Sequence, residues 1–484
     1  MTHRLTRRNL LASAGGALGA AAFSPSRVAA AESDSVMTRL SAYMGAANAR
    51  ALPQEAIEKT KQHILDTFAA MVSGCDLPPA RVALQFARAH AGEKAATVVV
   101  SGALCGPIEA AMVNGMLAHS DETDDSHAPS QSHPGCAVVP AAFAAGEQFD
   151  IDGARFVRAV ALGYDVGPRV GMTLGGLPYQ MATHHSTHSI CGTFGAAAAA
   201  ACAAGLTAQQ MRWVLDYAAQ QAAGVAAWQR DTDHIEKSLV FAGMPARDGV
   251  SAALIIQLGG TGVEDIFSGA DNFLLTFNPK ADPAGLIDRL GERYEVTRTN
   301  IKKWTVGSPV QAPLDALENL RKKRPFEAAE VQKVIVRVAT SEAKTVNNRE
   351  MPDISLQHLV AVMLLDKTVS FRAAHDKTRM QDPAVLRERA KVELLPDEEL
   401  EKLYPRRETI VEVTLVGGTK LTERVAAVRG TADNPMTHDE VVLKCRDLMT
   451  PVLGAARCSQ LIERVMNLEN VKSVRELRPL LQRA

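Results

Sequence analysis

The stretch Gly192-Thr193-Phe194-Gly195-Ala196-Ala197-Ala198-Ala199-Ala200-Ala201-Cys202-Ala203-Ala204-Gly205 carries the fold in its composition. Alanine loses no side-chain entropy in a helix, so the spacing predicts a helix over 192–204 that stops at Gly205. Thr207 and Gln210, three apart, form a capping box that opens the next helix. Upstream, Pro53 starts a helix whose apolar positions Ile57, Ile64, Leu65, Phe68 and Met71 lead to Gly74, and another is predicted over 154–166. Alanine-rich helices with few aromatics, 5 % of the chain, let backbones pack closely. The reading is a mainly α protein, with a large all-helical domain over 37–298.

Near residue 300 the period changes. Val334, Val336 and Val338 alternate, as do Val411, Val413 and Leu415, and Gly417-Gly418 closes a hairpin towards 421–428. Helices are predicted over 355–366 and 383–392, followed by a charged run over 396–408. The segment 299–432 therefore reads as a smaller α+β lid domain. The helical stretch 436–482 needs an apolar surface to pack on, so 433–484 is assigned to the helical domain.

Residues 1–31 read as a targeting peptide. Thr6-Arg7-Arg8-Asn9-Leu10-Leu11 is a twin-arginine pattern, an Ala/Gly-rich run follows, and Ala29-Ala30-Ala31 offers a cleavage site. The expected location is periplasmic. The 53 basic and 54 acidic side chains leave a net charge of −1, which argues against a nucleic-acid partner. No run of about 18 or more apolar residues suggests a membrane span. Of seven cysteines, an odd number without a C-x-x-C pair, most, such as Cys202 in the alanine run, read as small buried hydrophobes, and no obligatory disulfide or zinc or iron–sulfur site is expected.

The candidate chemistry lies in the histidines. Six of the 13 are His119, His127, His133, His184, His185 and His188. The first three interleave with Asp121, Glu122, Asp124 and Asp125, and the others immediately precede the 192–204 helix, whose N-terminus would favour a bound carboxylate. Acids and histidines so clustered perturb one another's pKa, as general acid–base catalysis requires. A solvated loop or a metal site competes with that reading, although neither H-E-x-x-H nor an EF-hand spacing is present.

These residues also carry a family resemblance. Asn114 to His119, Asp124-Asp125-Ser126-His127 and His133-Pro134 resemble the signature block of the MmgE/PrpD family, which includes 2-methylcitrate dehydratase, cis-aconitate decarboxylase and an iminodisuccinate epimerase. Gly192-Thr193-Phe194-Gly195 is similar to the second block, and His234-Ile235-Glu236-Lys237 to Arg247-Asp248-Gly249 to the third. Ile301-Lys302-Lys303-Trp304 to Asp315-Ala316 resembles the fourth, and Asn434-Pro435-Met436-Thr437 the start of the C-terminal segment. The resemblance implies a helical domain with an α+β lid, a homodimer, an active site in the cleft, and substrates with two or three carboxylates. It also implies chemistry without a metal or organic cofactor.

Carried over residue by residue, the resemblance makes Lys237 and Lys302 the active-site lysines. Asp124 and Asp125 match the paired aspartates, Ser126 the adjacent hydroxyl and His133 the acid–base histidine. Glu122 stands where the decarboxylase branch has an aspartate. The second-block histidine falls on Ser186, so His188, or else His185, takes its place. His127, Arg247 and Lys303 complete the expected substrate-binding set, with Arg247 suited to bidentate carboxylate contact. The pattern breaks at Gly307 and Gln311, where the family has histidines. The resulting expectation is a lyase that abstracts a proton α to a carboxylate and eliminates water. Epimerisation by the same first step, a metal-dependent hydrolase and a non-catalytic carboxylate-binding protein are the alternatives.

Overall fold

The structure, a computed structural model, describes residues 35–484. The targeting peptide expected over 1–31 lies outside them. The helical domain opens with α1 (Val36–Gly45), α2 (Gln54–Ser73), α3 (Pro78–Ala89), α4 (Pro107–Ala118), α5 (Gly135–Phe149) and α6 (Gly153–Leu174). It continues through α7 (Thr187–Ala204), α8 (Ala208–Gln221) and α9 (Met244–Gln257). The alanine helix α7 is the hub: every residue from Thr187 to Ala203 is buried, and α5, α6 and α9 pack around it. It starts five residues earlier than predicted, capped by Ser186, whose side chain accepts from the Ser189 amide. His188 therefore sits in the first turn of the helix and not ahead of it. The capping box of Thr207 and Gln210 is present at the start of α8.

Small residues let these helices approach until their backbones touch. A Cβ on Gly249 of α9 would lie 2.4 Å from the Ala197 nitrogen and 2.5 Å from the Ala196 Cβ. Because backbone cannot yield as a flexible side chain does, Gly249→Ala is expected to destabilise the protein by about 1–3 kcal/mol. A shift of the urea midpoint at unchanged slope would measure it.

A second core gathers residues from Trp304 to Val428. Its sheet contains β1 (Val331–Ala339), β2 (Val392–Asp397), β3 (Thr409–Leu415) and β4 (Lys420–Val425), in the order β2-β1-β3-β4. β2 runs parallel to β1, and the other pairs are antiparallel. The alternating valines of β1 and β3 bury one face, and α10 (Ser308–Lys323) packs on β3 and β4. β2 corrects the sequence reading. The helix expected over 383–392 stops at Arg389, and an edge strand, Val392–Asp397, runs into the first two residues of the charged run.

The chain then returns through α11 (His438–Leu453) and α12 (Ala455–Met466), whose buried faces join the helical core. The segment Ile235–Gln257 is long and apolar enough to cross a membrane by length and composition alone, but it carries Glu236, Lys237, Arg247 and Asp248, and 61 % of its apolar window is buried inside the protein. It has the burial of a core helix. All seven cysteines are buried and unpaired.

Candidate active site

The loop between α4 and α5 carries the acid–histidine run, and residues 119–127 are all buried. That rules out a solvated loop. Asp124 is the centre. Its carboxylate lies 3.0 Å from His119 Nδ1 and 3.2 Å from His133 Nδ1, and the Lys302 ammonium is 3.7 Å away. Burial works to raise the Asp124 carboxyl, but His119, His133 and Lys302 together hold it well below the usual carboxylate range. An ionised Asp124 accepts only, so both imidazoles donate from Nδ1, and in a neutral ring the lone pair then lies on Nε2. Burial pushes the His133 pKa below its ordinary value, leaving a neutral ring available as a base.

Glu122 is compensated by two ammonium groups. Its Oε1 pairs closely with Lys237, and Lys302 lies 3.5 Å from Oε2 while donating to the Glu122 carbonyl at 2.8 Å. Burial opposes the charge, yet the two lysines keep the Glu122 carboxyl well below the usual range.

Lys237 is placed by an irregular helix. Ile235–Ser238 runs into a π-helical turn over Leu239–Gly243 and then into α9. Pro245 has no N–H to donate to the Phe241 carbonyl, which loosens the α-helical ladder at that point. The widened turn presents Phe241 to the site. The His188 ring stacks on Phe241 at 3.9 Å and the His119 ring at 4.7 Å, while Trp228 meets it edge-on at 4.6 Å. Lys237 Nζ lies 5.1 Å from the Phe241 ring centre. Burial, then the neighbouring His133 and Lys237, push the His188 pKa well down, so this ring is neutral as well.

These groups open onto a cavity of about 310 Å³ between the two domains, lined by Glu122, His133, His188, Trp228, Lys237 and Phe241 from the helical side. The α+β domain contributes Ser308, Glu342, Lys344, Arg349, Ile354, Tyr404 and Arg407. Five cationic side chains, Arg230, Lys237, Lys344, Arg349 and Arg407, share this lining with two carboxylates, Glu122 and Glu342. The space suits a small molecule bearing more than one negative charge.

The structure brings Glu122, Asp124, His133, His188, Lys237 and Lys302 together and sets other expected residues apart. Asp125 does not face the cavity. Its Oδ2 is taken by His63 Nδ1 at 2.8 Å and by the Tyr164 hydroxyl, and its Oδ1 by the Gly135 amide at 3.0 Å, so it braces the loop. His127 is locked between Ser130 Oγ at 2.8 Å and Glu295 at 3.3 Å. His185 is bound to the Tyr179 hydroxyl at 2.7 Å, and Arg247 turns outward onto Asp248. Lys303 pairs with Glu318 at 2.7 Å. None of these lines the main cavity. Ser126 faces a small adjoining chamber shared with Lys302, Ser308 and Arg407.

The two breaks in the histidine pattern have structural counterparts. A Cβ on Gly307 would lie 2.9 Å from Ile354 Cγ1, so Ile354 fills the space a side chain there would need. Gln311 donates to the Trp304 and Val306 carbonyls at 2.7 and 2.9 Å and holds the loop before α10.

Reading the sequence missed Trp228, Phe241, Tyr404, Arg407 and His375. His375 lies 2.8 Å from Asp121, tying the α+β domain to the site loop. Burial opposes its charge, but Asp121 and Asp353 lift its pKa to about 9. Two donor triads, His119–Asp124–His133 and His119–Glu122–His234, could in principle hold a metal ion. Both carboxylates already face lysine ammoniums, which would oppose a divalent ion.

Family profiles match this arrangement across both domains: the MmgE/PrpD N-terminal domain over residues 38–285 and the MmgE/PrpD C-terminal domain over 304–468. The chain belongs to the MmgE/PrpD family. The cis-aconitate decarboxylase-like protein oryM of Aspergillus oryzae is 24 % identical over 457 residues, covering 89 % of this chain and 94 % of that protein. The cis-aconitate decarboxylases of Aspergillus terreus and Homo sapiens are 25 % and 26 % identical, each over 89 % of this chain and over 92 % and 91 % of their own lengths. Family membership and these relatives support an enzyme of the lyase type.

Proposed function

We propose that the protein is a cofactor-independent lyase, similar to 2-methylcitrate dehydratase, that removes the proton α to a carboxylate of a hydroxy-polycarboxylate and expels water. The observation that carries this reading is the Asp124–His133 pair, whose imidazole opens onto the same cation-rich cavity as Lys237. His133 Nε2 takes the α-proton. The electron pair of the broken C–H bond delocalises into the carboxylate, where Lys237 and Lys302 offset the growing charge. As the C–C double bond forms, the C–O bond breaks, and the departing hydroxyl receives a proton to leave as water. The newly formed His133 imidazolium is the acid we assign to that step, since His188 is held neutral.

Epimerisation shares the first step and differs in where the proton returns. Ile354 presents hydrocarbon where the decarboxylase pattern has a histidine, which favours elimination over loss of carbon dioxide. Incubation with citrate, 2-methylcitrate, malate, tartrate and cis-aconitate, followed by NMR, tests the choice. A new alkene from a hydroxy acid is expected. Carbon dioxide from cis-aconitate, with no alkene from any hydroxy acid, would overturn the dehydratase reading.

The base must be neutral, and burial lowers the His133 pKa. The rate is therefore expected to hold as pH falls to 6.5, the ordinary value for histidine, and to decline only below it. A profile of kcat/KM against pH reads this directly.

A metal-dependent hydrolase has one observation in its favour: His119 Nε2 and both His234 nitrogens are buried without a partner, close to Glu122. Stoichiometric zinc or manganese retained after dialysis would replace the lyase reading. Periplasmic export and a homodimer belong to the same proposal, the first on the pattern over 1–31 and the second on the family resemblance. Cell fractionation and sedimentation test them.

A further inference from the structure

The charged run over 396–408 has no role in the chemistry above, yet it delivers two side chains, Tyr404 and Arg407, to the cavity. Arg407 enters from the α+β domain, whereas His133 and Lys237 come from the helical one. Its side chain is only 15 % exposed. Glu342 Oε1 accepts from its Nη1 at 2.6 Å, and the Tyr404 hydroxyl accepts from its Nη2 at 3.2 Å. The Tyr404 hydroxyl in turn donates to Gln131 Oε1 at 2.7 Å, so the guanidinium is braced against the loop that carries the acid–base pair.

A guanidinium has five N–H donors in a planar fork. Glu342 occupies the Nη1 side. On the other edge, Nη2 meets only a neutral hydroxyl and Nε has no partner. That edge has the donor spacing a carboxylate accepts bidentately. Arg407 and Ser308 also line the small chamber that reaches Ser126 and Lys302, so Arg407 stands where the two cavities adjoin.

We infer that Arg407, oriented by Glu342 and Tyr404, binds a substrate carboxylate remote from the carbon that loses its proton, and so selects polycarboxylates over monocarboxylates. The inference rests on the proposed α-proton chemistry and adds the group that recognises the far end of the substrate. Arg407 is a specificity residue: it holds the substrate and moves no proton.

Calorimetric titration of wild type, Arg407→Gln and the double variant Arg407→Gln/Glu342→Gln with citrate, malate and 2-hydroxybutyrate tests it. The double variant removes both charges, so a loss of binding there is not caused by an uncompensated buried Glu342. Wild type is expected to prefer citrate and malate to 2-hydroxybutyrate. Both variants are expected to bind the polycarboxylates about 10–100-fold more weakly, as loss of a charged hydrogen-bonded contact implies, with 2-hydroxybutyrate unchanged. In turnover the loss is expected in KM, with kcat much less altered. Variants that keep the wild-type preference would overturn the role of Arg407 and leave the α-proton reading standing. Wild type that binds no polycarboxylate would overturn both.

Discussion

His133→Ala is expected to slow exchange of the substrate α-proton by about 10²–10⁴-fold, the range a positioned general base contributes. The fold should survive, because His133 borders an existing cavity and Asp124 keeps its contacts with His119 and Lys302. Asp124→Asn should fall in the same range for a different reason. A neutral amide no longer requires Nδ1 to be the protonated nitrogen, so the lone pair is no longer fixed on the side facing the cavity. Initial rates by NMR, with thermal melts as the control for folding, measure both. A His133→Ala protein that exchanged the proton at the wild-type rate would move the base to His188.

Lys237→Met is expected to abolish turnover and also to cost about 3–5 kcal/mol of stability, because it leaves Glu122 buried with only the more distant Lys302 as counter-charge. Glu122 and Lys237 are 2 % and 4 % exposed, so water reaches the pair only from the cavity side and compensates the lost partner poorly. The double variant Lys237→Met/Glu122→Gln should recover most of that stability and none of the activity. Urea denaturation of the three proteins separates the two effects. Equal stability of wild type and the single variant would mean that Glu122 is not held as a buried carboxylate.

The helices were legible where the local signals agreed. The alanine run, the Thr207 capping box and the Gly417-Gly418 hairpin each combine composition with a terminator, and each forms as expected. β2 was not legible, because Pro396 and the acids that follow read as a loop while its pairing partner β1 lies some sixty residues earlier. The start of α7 was missed because His184 to His188 show no apolar period, and only the Ser186 cap marks the boundary.

The same division holds for the site. Asp124 and His133 are nine residues apart in one loop, so their meeting follows from local sequence. Lys237 and Lys302 joined them through the family blocks. Phe241 reads as a core aromatic and Arg407 as one charge in a charged run. Their placement depends on a π turn and on the approach of the second domain, neither of which leaves a periodic trace. The one local signal was Pro245, four residues after Phe241, where a helix must lose a hydrogen bond.

The decisive measurement is proton NMR of 2-methylcitrate, citrate, malate, tartrate and iminodisuccinate with the enzyme in deuterated buffer, wild type beside His133→Ala. Deuterium should appear at the carbon α to a carboxylate of at least one compound with wild type, and at least a hundredfold more slowly with His133→Ala. Saturable binding without exchange of any α-proton would contradict α-proton abstraction and leave a carboxylate-binding protein in its place.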